Sequence, residues 1–189
     1  MIEGKAMLVG DHVRLRPKRL EDALQDYQWR QDLELSELDA AAPLDEPFEE
    51  YQRGYAWELE HPARHRRRLS IETLDGRHVG NIAYFDIEEG SQEAQLGIMI
   101  GDRDYWGRGY GAEVVRLLLD YVFTQNELES VHLRTLEWNV RAQRCFGKCG
   151  FVPVGRLKEG YHDFIMMRVT RTQWSRLTEE RSKLAPGPC

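Results

Sequence analysis

Residues 105–112 read Tyr-Trp-Gly-Arg-Gly-Tyr-Gly-Ala. Three glycines stand at alternate positions between an apolar run, Leu96-Gly97-Ile98-Met99-Ile100-Gly101, and an apolar helical pattern from Glu113 to Phe123. The order predicts strand, glycine loop, helix. Such a loop constrains the fold strongly. Without Cβ atoms its backbone N–H groups can come close to a ligand, and the helix N-terminus behind it adds the positive end of a dipole. The ligand that suits this cradle is a phosphate or pyrophosphate.

The rest of the chain narrows the setting. Its 189 residues fit one domain over 1–181, with 182–189 as a disordered tail. A net charge of −6 weighs against a nucleic-acid-binding surface and suits a cationic or amine substrate. Cys145, Cys149 and Cys189 have no framework spacing, which points to a reducing cytoplasm. No run of 18 apolar residues and no signal-peptide core is present, so no membrane contact is expected. No set of His, Cys, Asp and Glu has metal-ligand spacing, and no metal is expected.

Before the loop, the pattern predicts an antiparallel meander with two helices. A strand covers 12–16 and ends at Pro17; helices cover 21–30 and 47–60. The run Arg64-His65-Arg66-Arg67-Arg68 reads as a basic loop, a solvated charge run that could also attract an acidic substrate or ribosomal RNA. Strands at 69–74 and 78–87 flank the hairpin signal Asp75-Gly76, and 88–91 turn into a strand at 93–100. After the loop, Glu113, Arg116, Asp120 and Thr124 form one narrow solvent stripe on a helix that packs against a sheet. Glu113–Arg116 and Arg116–Asp120 are spaced as favourable pairs on it. The helical crossover makes the next strand, 130–137, parallel to 93–100. Asn139 caps a helix through Cys149, with Gly150 as its left-handed stop and Phe151 as the apolar contact beyond. Strands at 151–158 and 162–170 close the sheet.

Three kinds of phosphate loop fit glycines of this sort. A nucleotide P-loop requires Lys-Ser or Lys-Thr after the glycines, which is absent. The dinucleotide pattern is met formally by Gly107, Gly109 and Ala112, but the strands before it form a meander and residues 101–106 intervene. The third is coenzyme A. Its pyrophosphate would sit on the N–H groups of 107–112, and its pantetheine arm would pair with strand 96–100 at an open sheet edge. Two parallel strands that diverge there would supply that edge.

Several motifs in order now carry a resemblance: Leu15-Arg16-Pro17, Asp22 and Trp29-Arg30; Asp75-Gly76 with Val79-Gly80-Asn81-Ile82; Gly97 to Gly101 and Tyr105 to Gly111; Asn139-Val140-Arg141-Ala142 with Lys148-Cys149-Gly150-Phe151; Tyr161-His162-Asp163 and Met167. The chain resembles the GNAT superfamily of N-acetyltransferases, in particular the branch of ribosomal-protein N-terminal and spermidine acetyltransferases. The resemblance implies a three-layer α+β fold. Its mixed, mostly antiparallel sheet would have about seven strands, with a parallel, splayed central pair forming the acyl-CoA cleft. It implies acetyl-CoA as co-substrate, held by Ile98, Met99, Ile100, Trp106, Gly107, Arg108, Gly109, Tyr110, Gly111, Ala112, Asn139, Arg144 and Lys148. It implies direct acetyl transfer to a protein N-terminus or a small amine, polyamines and aminoglycosides included, by a monomer or homodimer. The acceptor pocket would come from residues 19–60 and the final hairpin, where Tyr27, Trp29, Tyr55, Trp57 and Tyr161 could stack on a substrate.

Two positions depart from the family pattern. Trp106 stands where the pyrophosphate motif commonly opens with Gln or Arg. Phe146 stands where the last helix usually carries the Tyr that protonates the leaving thiolate, and a phenyl ring has no proton to give. The thiol of Cys145 is a possible replacement, against a plain role as a small buried residue. Candidate bases or water relays are Glu137, Asp86, Glu93 and Gln95, while His132 reads as structural. Asn139 is a cap that also offers an amide to the acetyl region. A backbone N–H near Ile98 or Met99 could hold the oxyanion. Phe146 also leaves room for a chain from another class, an acyl-CoA-binding module that has lost efficient catalysis.

Overall fold

The computed structural model describes residues 8–63, 65–85, 92–125 and 128–184. Eight strands form one sheet in the order β1-β2-β3-β4-β5-β6-β8-β7. They are β1 (Leu8–Val9), β2 (Val13–Pro17), β3 (Arg66–Thr73), β4 (His78–Phe85), β5 (Glu93–Ile100), β6 (Ser130–Leu136), β7 (Val152–Glu159) and β8 (His162–Thr170). The sheet has one strand more than expected, because β1 is a two-residue edge too short to show alternation. Only β5 and β6 run parallel; the meander before them and the hairpin after them are antiparallel.

The parallel pair is short. Glu93, Ala94 and Gln95 pair with Ser130, Val131 and His132, and pairing stops there. Beyond that point β5 stays bonded to β4 as far as Ile100, while β6 follows β8 as far as Leu136. The two strands therefore separate, as the resemblance implied.

The helices are α1 (Ala23–Gln31), α2 (Leu33–Leu38), α3 (Phe48–Glu60), α4 (Tyr110–Gln125), α5 (Val140–Lys148) and α6 (Arg171–Leu184). Leu96, Ile82 and Tyr84 share one apolar cluster with Val115, Leu118 and Leu119 of α4, Phe146 of α5 and Trp174 of α6. Strand alternation sends Asn81 to the opposite face. There its amide donates to Asp26 of α1 at 2.7 Å. Three layers result: α1–α3, the sheet, and α4–α6.

Several details differ from the sequence expectation, beginning with α2, a third early helix where two were expected. Arg66, Arg67 and Arg68 are not loop residues; they pair with Phe85, Tyr84 and Ala83 as the start of β3. Helix α6 had no signal, because Trp174 is its one buried side chain among the described residues. It runs past the expected start of the tail, while residues 185–189 lie outside the described set. It also covers part of the stripe on α4 assigned to solvent: Trp174 Nε1 donates to Asp120 at 2.9 Å. At the other end of the stripe Glu113 turns to β2 rather than to Arg116. It accepts the N–H groups of His12 (2.8 Å) and Val13 (3.2 Å).

Candidate functional site

Two cavities meet at the splayed half of β5. One, of about 450 Å³, lies between the glycine loop, β5 and α5. The other, of about 670 Å³, lies between β5, β4 and the α1–α3 layer. Ile98, Met99 and Asp39 line both.

Peptide alternation sets what β5 offers each side. Gly101 N–H donates to the Val79 carbonyl (3.0 Å), so residues 99 and 97 also bond toward β4. Ile98 and Ile100 then turn their peptide groups to the splay. The Ile100 carbonyl confirms the direction, since it accepts Trp106 Nε1–H from the loop at 2.7 Å. Of the two oxyanion donors expected, the Ile98 N–H is the one that faces the cleft. Gly80 permits this geometry, because a Cβ there would overlap the Met99 carbonyl. Gly101 is equally constrained, with the Trp29 indole where its Cβ would be.

The glycine loop forms as the sequence predicts. Gly107 and Gly109 take φ of 71° and 91°, which glycine adopts without strain. Among the described residues, no protein group accepts the N–H groups of Gly107 to Ala112. Gly107, Gly109, Gly111 and Ala112 line the first cavity, so their unpaired N–H groups, two of them in the first turn of α4, are available to an anion there. These donors fit a coenzyme pyrophosphate, and the apolar wall of Ile98, Ile100 and Ala112 fits the arm that follows it. Trp106 does not replace a phosphate ligand. It fixes the Ile100 carbonyl and carries the Arg141 guanidinium 3.8 Å above its ring.

Most of the expected coenzyme residues line this cavity: Ile98, Met99, Ile100, Trp106, Gly107, Gly109, Gly111, Ala112, Asn139, Arg144 and Lys148. Arg108 and Tyr110 do not. Their side chains line a separate depression beside Asp11, Asp75 and Asp104. Arg141, which sequence reasoning passed over, lines the coenzyme cavity in their place. Asn139 caps α5 as expected, accepting the Ala142 N–H at 3.1 Å, and Gly150 stops it at φ 92°.

The catalytic candidates divide. Cys145 lines the coenzyme cavity, its Sγ in contact distance (3.4 Å) of a Cβ at Gly111. Burial raises its thiol against the pull of Arg116 and Lys148, so the sulfur stays protonated. Phe146 lines the same cavity, 7% exposed, with its ring edge-on to Phe151 at 5.9 Å. Glu137 does not reach the cleft. Its carboxylate pairs with Arg156 of β7 at 3.0 Å, because it lies past the end of β6 where the chain turns outward. Glu93 accepts from Ser130 at 3.0 Å, and Gln95 pairs with His132 where β5 and β6 still touch, ahead of the splay. Asp86 lies outside the described residues.

The second cavity has charged walls. Asp26, Glu46, Glu50 and Glu58 face Lys18, Arg66 and Arg68, with Tyr51, Tyr55 and Trp57 between them. The floor is a buried network. Asp26 accepts from Lys18, from Asn81 and from Tyr55 Oη (3.0 Å). Burial lowers Lys18 to about 8 against the attraction of Asp26. Beneath it Arg16 donates twice to Asp22 (2.8 and 2.7 Å) and once to Glu72 (2.5 Å). Of the aromatic candidates, Tyr55 and Trp57 line the cavity. Trp29 is packed under Gly101, Tyr27 donates to the Glu46 carbonyl, and Tyr161 stands fully exposed at the β7–β8 turn. The early helices supply the wall, and the final hairpin supplies none of it among the described residues.

Among the described residues, no group of three metal-ligating side chains is found and no helix is long and apolar enough to cross a membrane. Comparison with known proteins shows the family. A model of the acetyltransferase (GNAT) domain matches residues 12–152. A curated relative, the spermidine N(1)-acetyltransferase of Vibrio cholerae, is 27% identical over 116 residues, covering 61% of this chain and 65% of the relative. The matches span 42 to 65% of the length of such curated relatives. In three dimensions, a spermidine N-acetyltransferase from Vibrio cholerae in complex with CoA and spermine has a TM-score of 0.76 at 22% identity, over 86% of this chain and 98% of that one. The aminoglycoside acetyltransferase AAC(6')-Ib, solved with coenzyme A, has a TM-score of 0.73 at 20% identity, over 88% and 99%.

Proposed function

Because the chain belongs to the GNAT acetyltransferase family, we propose that it passes the acetyl group of acetyl-CoA directly to the amine of a small cationic acceptor, both bound at once. The observation that carries this is the pair of cavities on either side of β5, with Ile98 and Met99 common to both. Coenzyme in one and amine in the other would meet at those two residues. Holding both reactants in place is worth roughly 7–11 kcal/mol of barrier, so few catalytic groups are required. With Asp26 and Glu58 paired to Lys18 and Arg68, it is Glu46 and Glu50, beside the rings of Tyr51 and Tyr55, that favour a cation over a neutral acceptor.

Each step has a residue. The loop N–H groups, Arg144 and Lys148 bind the phosphates. The Ile98 N–H holds the oxyanion as the amine attacks the thioester carbon. The leaving sulfur takes its proton from the Cys145 thiol or from the acceptor nitrogen, because Phe146 has none to give. A reducing cytoplasm suits Cys145 and Cys149, both free thiols.

Phe146 favours a second reading, an acyl-CoA-binding module without turnover. One experiment separates them. The protein is mixed with acetyl-CoA and spermidine, kanamycin or a short peptide with a free N-terminus, and thiol release is followed. Turnover with spermidine or kanamycin is expected. Turnover with the peptide alone would assign the protein-N-terminus class. Tight coenzyme binding with no thiol released from any acceptor would rule out the transferase.

A further inference from the structure

We propose that Asp39 is the carboxylate that takes the proton from the acceptor ammonium, an assignment that depends on the acetyl-transfer activity proposed above. Among the described residues, Asp39 is the only Asp or Glu lining the coenzyme cavity, and it also lines the acceptor cavity. Among the described residues no histidine lines either. The competing carboxylates are committed or misplaced. Asp26 is held by Lys18, Asn81 and Tyr55, Glu58 pairs with Arg68, and Glu137 pairs with Arg156 away from the cleft. Glu46 and Glu50 line the acceptor cavity alone.

The chain fixes Asp39 in place. It is the C-cap of α2, its N–H bonded to the Leu35 carbonyl at 3.0 Å. Ala40 follows in the left-handed region at φ 51°, a conformation that costs about 1–2 kcal/mol for a residue with a side chain. Ala41 N–H closes the turn on Ser36 O at 2.9 Å. At the other end of α2, Arg103 from the approach to the glycine loop binds Asp32 (2.7 Å) and Glu34 (2.9 Å). Helix α2 is thereby tied to the coenzyme cavity, while the residue that caps its C-terminus lines both.

The side chain remains 48% exposed, and its one ion partner among the described residues, Arg30 of α1, reaches only Oδ2 at 3.4 Å. Burial of the group by its surroundings raises the carboxyl, while Arg30 and Arg134 of β6 pull it back. Arg141, Arg144 and Lys148 line the coenzyme cavity with it, and Lys18, Asp26, Glu46, Glu50, Glu58, Arg66 and Arg68 line the acceptor cavity with it. A raised carboxyl is a better proton acceptor than an ordinary one, and an alkylammonium near ~10.4 requires one. In the step, the ammonium gives one proton to Asp39. The neutral nitrogen then forms the C–N bond as the C–S bond breaks. The second nitrogen proton ends on the sulfur, directly or through Cys145, and Asp39 returns its own to solvent.

The test is Asp39→Asn, with Asp39→Glu as its conservative partner, assayed with spermidine, kanamycin and the peptide over a pH range that begins within the ordinary carboxylate range, near ~4. In the native protein kcat/KM should rise as pH climbs through the Asp39 ionisation. Asp39→Asn should lower kcat by about 10²-fold or more and remove that limb, with coenzyme Kd within about twofold of native. Asp39→Glu should recover part of the rate and the limb. An Asp39→Asn protein that keeps the native kcat and pH profile, or that raises KM alone, would overturn the assignment while leaving the transferase intact. A native protein that releases no thiol would instead overturn the activity, and Asp39 with it.

Discussion

The two cavities on β5 are built from different materials. The coenzyme side is made of backbone: the unpaired N–H groups of the glycine loop, two glycines at positive φ, and the peptide groups of Ile98 and Ile100. The acceptor side is made of paired charge, with Lys18–Asp26, Arg16–Asp22 and Arg16–Glu72 beneath it. A backbone site can be specified by a few contiguous residues. A charge-lined site needs partners brought from distant parts of the chain, and each buried member is costly to orphan. The difference predicts that the acceptor side fails through stability and the coenzyme side through binding.

The largest effect should come from Asp22→Ala. It strands Arg16, which is 3% exposed and cannot shed its proton, and also frees Ser70 Oγ and the Arg19 N–H. Glu72 still faces Arg16, so a loss of about 3–5 kcal/mol is an upper range, read by urea unfolding. The acid response follows the same contact. Burial pushes the Asp22 carboxyl up, but Arg16, Ser70 and the Arg19 N–H outweigh it and hold it well below the usual range. A depressed carboxyl contributes stability fully above its unfolded pKa near ~4, and that contribution drains as pH falls below it. Native stability should therefore decline below about pH 4, and Asp22→Ala should lose the share that Asp22 supplies, while Glu72 and Glu113, also held below the usual range, keep theirs. A loss under about 1 kcal/mol would mean that the acceptor side is not held by charge.

Gly109→Ala tests the other side. A Cβ at Gly109 meets nothing within 4 Å, so the variant isolates the φ of 91°. The strain is about 1–2 kcal/mol. Part of it should be relieved by turning loop N–H groups away from the phosphate position. Coenzyme Kd should rise about tenfold by titration calorimetry, and KM for the amine should stay within about twofold. A change confined to amine KM would break the comparison.

What the sequence made legible follows the same division. The glycine loop, the Asn139 cap and the Gly150 stop are local, each a few residues with one conformational solution, and each folds as read. The splay was legible because a crossover helix makes β5 and β6 parallel while β4 and β8 keep their own hold on them. Side-chain direction in the loop was not. Arg108 and Tyr110 share the motif, yet the twist of the left-handed glycines aims them at another depression. Asp39 gave no signal at all, since α2 is six residues long and its meaning depends on β5, some sixty positions away. The run at Arg66–Arg68 was misread because its partner strand, not its own pattern, makes it a strand.

The smallest expected effect separates a motif residue from one found only in space. Arg141 sits 3.8 Å over the Trp106 ring at the first turn of α5 and lines the coenzyme cavity; Arg108 lies in the glycine motif and lines another. A stacked guanidinium is pre-oriented, and such contacts are worth about 0.5–1 kcal/mol. Arg141→Ala should raise coenzyme Kd by about threefold to fivefold and flatten its salt dependence, since one of the cations lining the cavity is gone. Arg141→Lys should keep the salt dependence and lose part of the affinity, because an ammonium on a flexible stem is less ordered by the indole. Arg108→Ala should leave both unchanged. The opposite pattern, Arg108 sensitive and Arg141 silent, would mean that the loop carries its cation by sequence after all, and that the stack on Trp106 serves only to brace the Ile100 carbonyl beneath it.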